Sequence, residues 1–343
     1  MRDRFLRIRR QRNRTLKTRD TIVLGASAGG VDALTAIAAA LPERLPAAVL
    51  IVLHIGPHPS ILPEMLQKAG RLPAHHARDG ERIVQGNIYV APPDLHLVIE
   101  NDIVRTIRGP KQNFSRPAID PLFRSAAVAR GPRVIGAVLT GHLDDGTAGL
   151  AAVQACGGIT MVQDPDEAHA PDMPRSAMRG TAPTYVLPID KLASTIAALA
   201  GSATNETPSA PSPALLSENE LMLRPDSIAH MAAVGVPTGI SCPECGGALW
   251  RLEAPPPTRY RCHTGHAFGS ETLGAAGDHV IERSLWQAVR ALHEKKALST
   301  ERAEYYMSIG EQKAAQRFAA QARDADEAAR ALEQLLYKKD QSS

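Results

Sequence analysis

Three runs of uninterrupted apolar residues restrict the fold of this 343-residue chain more than any other feature. Residues 21–25 (TIVLG), 47–55 (AAVLIVLHI) and 133–141 (RVIGAVLTG) are short, rich in Val and Ile, and do not alternate with polar residues. A strand with one wet face alternates, whereas a strand buried on both faces does not. Helical patterns separate the runs: an Ala/Leu stretch that stops at Pro42, then residues 148–156 and 191–200. Residues 159–163 and 185–189 add further strands. Two short runs within 81–99, joined by Ala91-Pro92-Pro93-Asp94, read as a hairpin. Continuous strands alternating with helices predict a doubly wound, mainly parallel α/β sheet over residues 21–201.

The rest of the chain differs in texture. Residues 202–216 are dense in Ser, Pro, Ala and Thr, which marks the start of a linker over 202–236. A small zinc-ribbon-like module over 237–280 holds three of the four cysteines, and a helical hairpin is expected over 281–338. In the hairpin Leu285, Val289 and Leu292, then Leu332, Leu335 and Leu336, recur at helical steps, with a break at Ser308-Ile309-Gly310. Residues 1–20 carry nine Lys/Arg against two Asp, a local charge of +7, so the remainder of the +3 chain sums to −4. We read 1–20 as a basic disordered leader and expect no specific nucleic-acid partner. At 44% hydrophobic and 22% charged, the chain is not disordered as a whole. No apolar stretch is long enough for a membrane span, and no secretory signal opens the chain. A cytoplasmic protein with reduced or metal-bound thiols is therefore expected.

Ser27 lies in Gly25-Ala26-Ser27-Ala28-Gly29-Gly30, between the first strand and the first helix. Small neighbours permit a sharp turn that exposes its hydroxyl, and the backbone N–H of Ala28 is placed for an oxyanion. Such turns also bind phosphate, and Ser is a common helix N-cap. His54 ends the second apolar run, and Asp144 and Asp145 follow the third. In an open α/β sheet those positions share the carboxyl edge, where ligands gather. A nucleophile, an imidazole and a carboxylate pair therefore meet on one edge. Taken singly, His54 is equally a core histidine and the acidic pair a cap for the helix near Thr147. Residues 25–30 lack both G-x-G-x-x-G spacing and a P-loop lysine, so no nucleotide cofactor is expected.

The stretches GASAGGVDAL (25–34), GNIYVAPPDLHLVIE (86–100), RPAIDPLFRSAA (116–127), LTGHLDDGTAGLAAV (139–153) and QDPDEAHAPDMPRSA (163–177) resemble the catalytic domain of the CheB family, the protein-glutamate methylesterases of bacterial chemotaxis. The resemblance implies a Ser-His-Asp hydrolase acting on glutamate γ-methyl esters, with glutamine deamidation alongside, and a methylated chemoreceptor or related sensory protein as partner. It assigns Ser27 as nucleophile, His54 as base and Asp145 rather than Asp144 as acid, with the backbone N–H of His142 as a second oxyanion donor. No cofactor is implied for catalysis. The chain departs from the family at His142 (usually Met), Leu143 (usually Gly) and Ala28 (often Thr or Ser). The family's well-studied enzymes carry an N-terminal receiver domain; about 20 residues precede the first strand here, so either constitutive activity or regulation by other means is expected. A non-catalytic adaptor and a small-ester hydrolase are the alternative readings.

Cys242-Pro243-Glu244-Cys245, then Cys262 and His266, give C-x2-C-x16-C-x3-H, a spacing that fits a tetrahedral structural Zn2+ site. His263 competes with His266 as fourth ligand. Too little apolar surface surrounds the cysteines for a segment of this size to fold alone, which gives the thiols a physical reason. This segment also resembles tails found after stand-alone members of the same family. Cys156 reads as an inert core thiol. The C-terminal helices are expected to pack on each other, on the zinc-ribbon-like module, or on a signalling partner.

Overall fold

A computed structural model of the chain describes residues 17–204, 210–223, 231, 234–253 and 257–339. The leader over 1–16 and parts of the 202–236 segment lie outside the described residues. The chain divides into two compact units, the first ending at Leu273 and the second starting at Gly274.

The first unit is built on seven parallel strands: β1 (Thr21–Ala26), β2 (Ala48–Leu53), β3 (Ala74–His76), β4 (Ile88–Val90), β7 (Val134–Val138), β8 (Ile159–Gln163) and β9 (Tyr185–Leu187). Their order is β3-β4-β2-β1-β7-β8-β9. All three runs singled out above become the central strands, and every residue of β1, β2 and β7 is buried. Helices cover both faces, which is why these strands do not alternate. Leu34 and Ile37 of α1 (Gly30–Ala40), Leu66 of α2 (Leu62–Ala69) and Leu192 and Ile196 of α6 (Ile189–Leu199) pack on one face. Leu122 and Phe123 of α3 (Ile119–Arg130), Leu150 and Val153 of α4 (Thr147–Ala155) and Met173 of α5 (Asp172–Gly180) pack on the other. The chain winds from β1 to β2 in one direction and later returns to β7 on the opposite side of β1. The carboxyl end of β1 is thus the topological switch point, where open sheets form their crevice.

One expected element moves. The Ala91-Pro92-Pro93-Asp94 stretch does not join a hairpin. β4 instead pairs in parallel with β2 and β3. The antiparallel hairpin forms one step later, between β5 (His96–Glu100) and β6 (Ile103–Ile107). Two consecutive prolines have no N–H to give a ladder, whereas Asn101, at φ 55°, accepts the left-handed turn.

After the sheet, α7 (Pro213–Leu223) lies within the segment read as a linker, and it leads to a four-stranded antiparallel sheet. The strands are β10 (Gly235–Ser241), β11 (Ala248–Leu252), β12 (Arg259–Cys262) and β13 (Ala267–Gly269), in that order. A buried charge cluster ties these parts to the main sheet. Glu218 of α7 pairs with Arg259 of β12 and lies 3.5 Å from Arg124 of α3. Burial alone would raise the Glu218 carboxyl, but the arginines hold it down at about 2.

Helix α8 (Ser270–Ser308) starts in the first unit, and its greater part, with α9 (Gln312–Lys339), makes the second. The Ser308-Ile309-Gly310 break falls where the sequence places it, and α8 begins earlier than the 281 boundary expected for the hairpin. The two helices pair through Lys296–Asp326 at 2.7 Å, His293–Glu333 at 3.0 Å and the stacked rings of Tyr306 and Phe318. Among the described residues, no helix is long and apolar enough to cross a membrane.

Removing one member of a buried ion cluster strands the others. Glu218→Ala is expected to cost about 3–5 kcal/mol in urea unfolding. A loss below about 1 kcal/mol would mean that water reaches the arginines.

Candidate active site

Strand register sets up the site. Ala26 and Leu53, the last residues of β1 and β2, are paired neighbours, and the His54 N–H bonds the Ala26 carbonyl at 3.1 Å. Ser27 and His54 therefore leave adjacent strands side by side. On the other side of β1, the Ser27 N–H bonds the Thr140 carbonyl at 2.9 Å, just beyond β7. Gly141 then passes so close that a Cβ on it would lie 2.7 Å from the Ser27 Cβ. The carboxyl edge of β2-β1-β7 brings together the residues that the sequence placed there.

His54 Nε2 lies 2.7 Å from Asp145 Oδ2. An ionised carboxylate only accepts, so Nε2 is the donating nitrogen. His54 is 16% exposed and Asp145 2%, so one end of the pair is dry and the other opens outward. Ser27 is half-buried, and the cap position of α1 is Gly29, with no side-chain cap bond. The Ser27 hydroxyl is therefore not spent as an N-cap. Among the described residues, no acceptor bonds the N–H of Ala28 or of His142.

Asp145 collects more than the imidazole. Its Oδ2 accepts the Ile119 N–H at 2.7 Å, and its Oδ1 accepts Asn113 Nδ2 at 2.8 Å and the Asp120 N–H at 3.2 Å. Burial pushes this carboxyl up, but His54, Ile119 and Asn113 outweigh it and hold it below the usual range. The amino end of α3 adds its partial positive charge. Asp120 takes the opposite course: burial and the neighbouring Asp145 charge push it up to about 7. His96 anchors the approach to α3 by accepting the Ala118 N–H at Nδ1, 3.2 Å, and burial pushes it down to about 4, so it stays neutral.

Asp144 does not join His54. Its carboxylate accepts the N–H groups of Glu271 and Thr272 at 3.1 and 3.2 Å, and the Thr272 hydroxyl, capping α8. Leu143 takes the left-handed backbone at φ 65°, so the loop makes a glycine-like turn at a cost of about 1 kcal/mol or more. The His142 side chain is exposed and meets Asp172 at 3.0 Å.

A second cluster lies in the four-stranded sheet. One ligand atom from each of Cys242, Cys245, Cys262 and His266 falls within 4.8 Å of the others, a group able to hold a metal ion. His263 stays outside it, exposed and edge-on to Trp250. Burial pushes the Cys242 thiol up to about 12, whereas bonds from His266 and Thr264 overcome burial at Cys262 and bring it down to about 5. Cys156 is buried.

Sequence reasoning passed over Asn113, Asp120 and the capping role of Asp144. Asn113 has no motif of its own, and Asp144 is identical in type to its neighbour.

Comparison with known proteins gives one consistent result. Residues 22–196 match the family model described as CheB methylesterase. A relative from Leptospira interrogans is 40% identical over 176 residues, 51% of this chain and 91% of its own length. The protein-glutamate methylesterase/protein-glutamine glutaminase 2 of Pseudomonas aeruginosa is 37% identical over 186 residues, 53% of each chain. The crystal structure of the Thermotoga maritima CheB methylesterase catalytic domain superposes with a TM-score of 0.51 at 31% identity, covering 53% of this chain and all of that one.

A pH test follows from Asp120, whose carboxyl moves from 3.8 to about 7 on folding. Between those values the folded protein keeps a proton that the unfolded chain has released, so this group's contribution falls as pH rises. Relative to Asp120→Asn, the protein should lose stability from pH 4 to 7 and then level off, measured by denaturant unfolding. A flat difference would mean that Asp120 is already ionised at pH 4.

Proposed function

We propose, since the chain belongs to the CheB methylesterase family, that it hydrolyses glutamate γ-methyl esters on a chemoreceptor or related sensory protein. The observation that carries this reading is the 2.7 Å contact between His54 Nε2 and the buried Asp145, on the edge where β1 delivers Ser27. With Nε2 committed to Asp145, Nδ1 is the base that takes the Ser27 proton as Oγ attacks the ester carbonyl. The oxyanion falls to the unpaired N–H groups of Ala28 and His142. Collapse breaks the C–O bond and expels methanol, which leaves with the proton held on His54. Water, deprotonated by the same nitrogen, then frees the glutamate and restores Ser27. Several relatives are named as glutaminases too, and a side-chain amide follows the same route with ammonia leaving.

We assign the Cys/His group to a structural Zn2+. Cys245 Sγ and Cys262 Sγ lie 3.7 Å apart, and Cys262 Sγ and His266 Nδ1 3.5 Å. Zinc–sulfur bonds of about 2.3 Å place tetrahedral ligands about 3.8 Å apart, so the donors fit. Zinc would cross-link the two turns that carry them, and no step of the hydrolysis runs through it.

Methanol release from a methyl-labelled chemoreceptor signalling domain tests the activity. Ser27→Ala should abolish it, and Asp145→Asn should lower kcat by about 10⁴-fold by spoiling the imidazole tautomer. No release by the folded protein would overturn the reading. Elemental analysis should find one zinc per chain, lost in Cys242→Ser.

A further inference from the structure

Strand β13 begins at the residue after His266 and reaches Asp145 through Asn113. The Asn113 N–H donates to the Ala267 carbonyl at 2.8 Å, and the Gly269 N–H donates to Asn113 Oδ1 at 2.8 Å. Asn113 then donates through Nδ2 to Asp145 Oδ1 at 2.8 Å and to Asp120 Oδ2 at 3.2 Å. The one side-chain oxygen of Asn113 is thus held by β13, and its two amide hydrogens are used by the carboxylates. The next turn of chain, the start of α8, clasps Asp144 through Glu271 and Thr272. Both members of the Asp144-Asp145 pair are held by a segment that starts at a metal-binding side chain.

Two details argue that this contact is built. A Cβ on Gly269 would lie 2.0 Å from Asp144 Oδ2, so only glycine lets the strand approach. Asn113 and Phe114 both sit in the left-handed region, at φ 49° and 60°, which persists only where the surroundings over-determine it. What holds them is the module: Phe114 packs on Phe268 with ring centres 5.2 Å apart. Phe268 shares its buried cluster with Leu249 and two of the cysteines, Cys242 and Cys262. A core this small, half of it metal-binding thiols, does not hold its shape without the cross-link.

We propose that the Cys/His module is a positioning element of the hydrolase: folded around its metal, it holds Asn113 through β13, and Asn113 holds Asp145, so turnover follows metal occupancy. This rests on the esterase reading above. Asn113 is a positioning residue, acting on the reaction through Asp145. Loss of metal frees its side chain, and misplacing the acid by a fraction of an ångström misplaces the base.

The test uses the full chain, zinc-loaded or stripped by chelation, with two readouts. The first is kcat and KM for ester hydrolysis. The second needs no substrate: NMR observation of the His54 Nε2 proton held against Asp145. Stripping zinc should lower kcat by about 10- to 100-fold with little change in KM, and broaden the His54 proton; added Zn2+ should restore both. Asn113→Ala should show the low kcat and the altered His54 signal while retaining its zinc, and its rate should no longer respond to the metal. Asn113→Gln tests whether a longer amide rescues. An unchanged His54 signal on stripping, or a full metal response in Asn113→Ala, would overturn the proposal. If no ester is cleaved, the esterase reading fails, and the His54 signal still decides whether the module governs the pair. If chelation unfolds the whole chain, the zinc-loaded Asn113→Ala protein decides it.

Discussion

A carboxylate that is 2% exposed keeps its charge only if something in the protein replaces water, and the surroundings of Asp145 are organised around that requirement. His54, the amino end of α3, the Asn113 amide and the following Gly146 N–H all donate to it. Gly146 apart, the donors come from the end of β2 and from residues 113–120, so the charge is satisfied only after β2, the α3 end and the loop beyond β7 have come together. The same shell makes the site directional. With Asp145 fixed as acceptor, His54 donates through Nε2 and leaves Nδ1 uncommitted to the acid. The charge also forces a choice on Asp120, which shares the Asn113 amide and is pushed toward the neutral form. Two carboxylates a single amide apart do not both ionise readily in a dry site.

Sheet topology does the rest. In a parallel sheet every strand delivers its carboxyl end to the same edge, and β1 sits where the winding reverses. Ser27 thus gains neighbours on both sides, His54 from β2 and Thr140 from beyond β7, through main-chain bonds that any side chain would allow. What the local sequence must supply is clearance, and Gly141 supplies it. The position of Ser27 is therefore set by backbone pairing, and the orientation of His54 by the buried charge.

This division explains what could be read in advance. Uninterrupted apolar runs reveal strands buried on both faces, and residues at or just past the end of such a run lie on the carboxyl edge, so the places of Ser27, His54 and the Asp144-Asp145 pair were legible. The spacing of Cys242, Cys245, Cys262 and His266 was legible for a similar reason, because two short turns set ligand distances locally. Asn113 was not. Its partners are Asp145, 32 residues on, and Gly269, 156 residues on, and no local pattern encodes a contact of that span. The hairpin near residue 91 was misplaced because the apolar alternation continues across Pro92-Pro93, while the hydrogen-bonding capacity does not.

The Asp144-Asp145 dipeptide shows how one local turn divides chemistry between two identical side chains. Leu143 enters the loop at φ 65° and Gly146 leaves it at φ 88°, so the chain reverses tightly around the pair. One carboxylate falls inward to the imidazole and the end of α3, the other to the end of α8. Both are buried and both are N-terminal helix partners, yet only Asp145 has an imidazole, and it alone is driven below the ordinary range while Asp144 is pushed up by burial. A leucine at the left-handed position is the less comfortable residue there. That the turn persists shows that the contacts made by the two acids outweigh the backbone's preference, which makes the acid loop a product of its long-range partners more than of its own sequence.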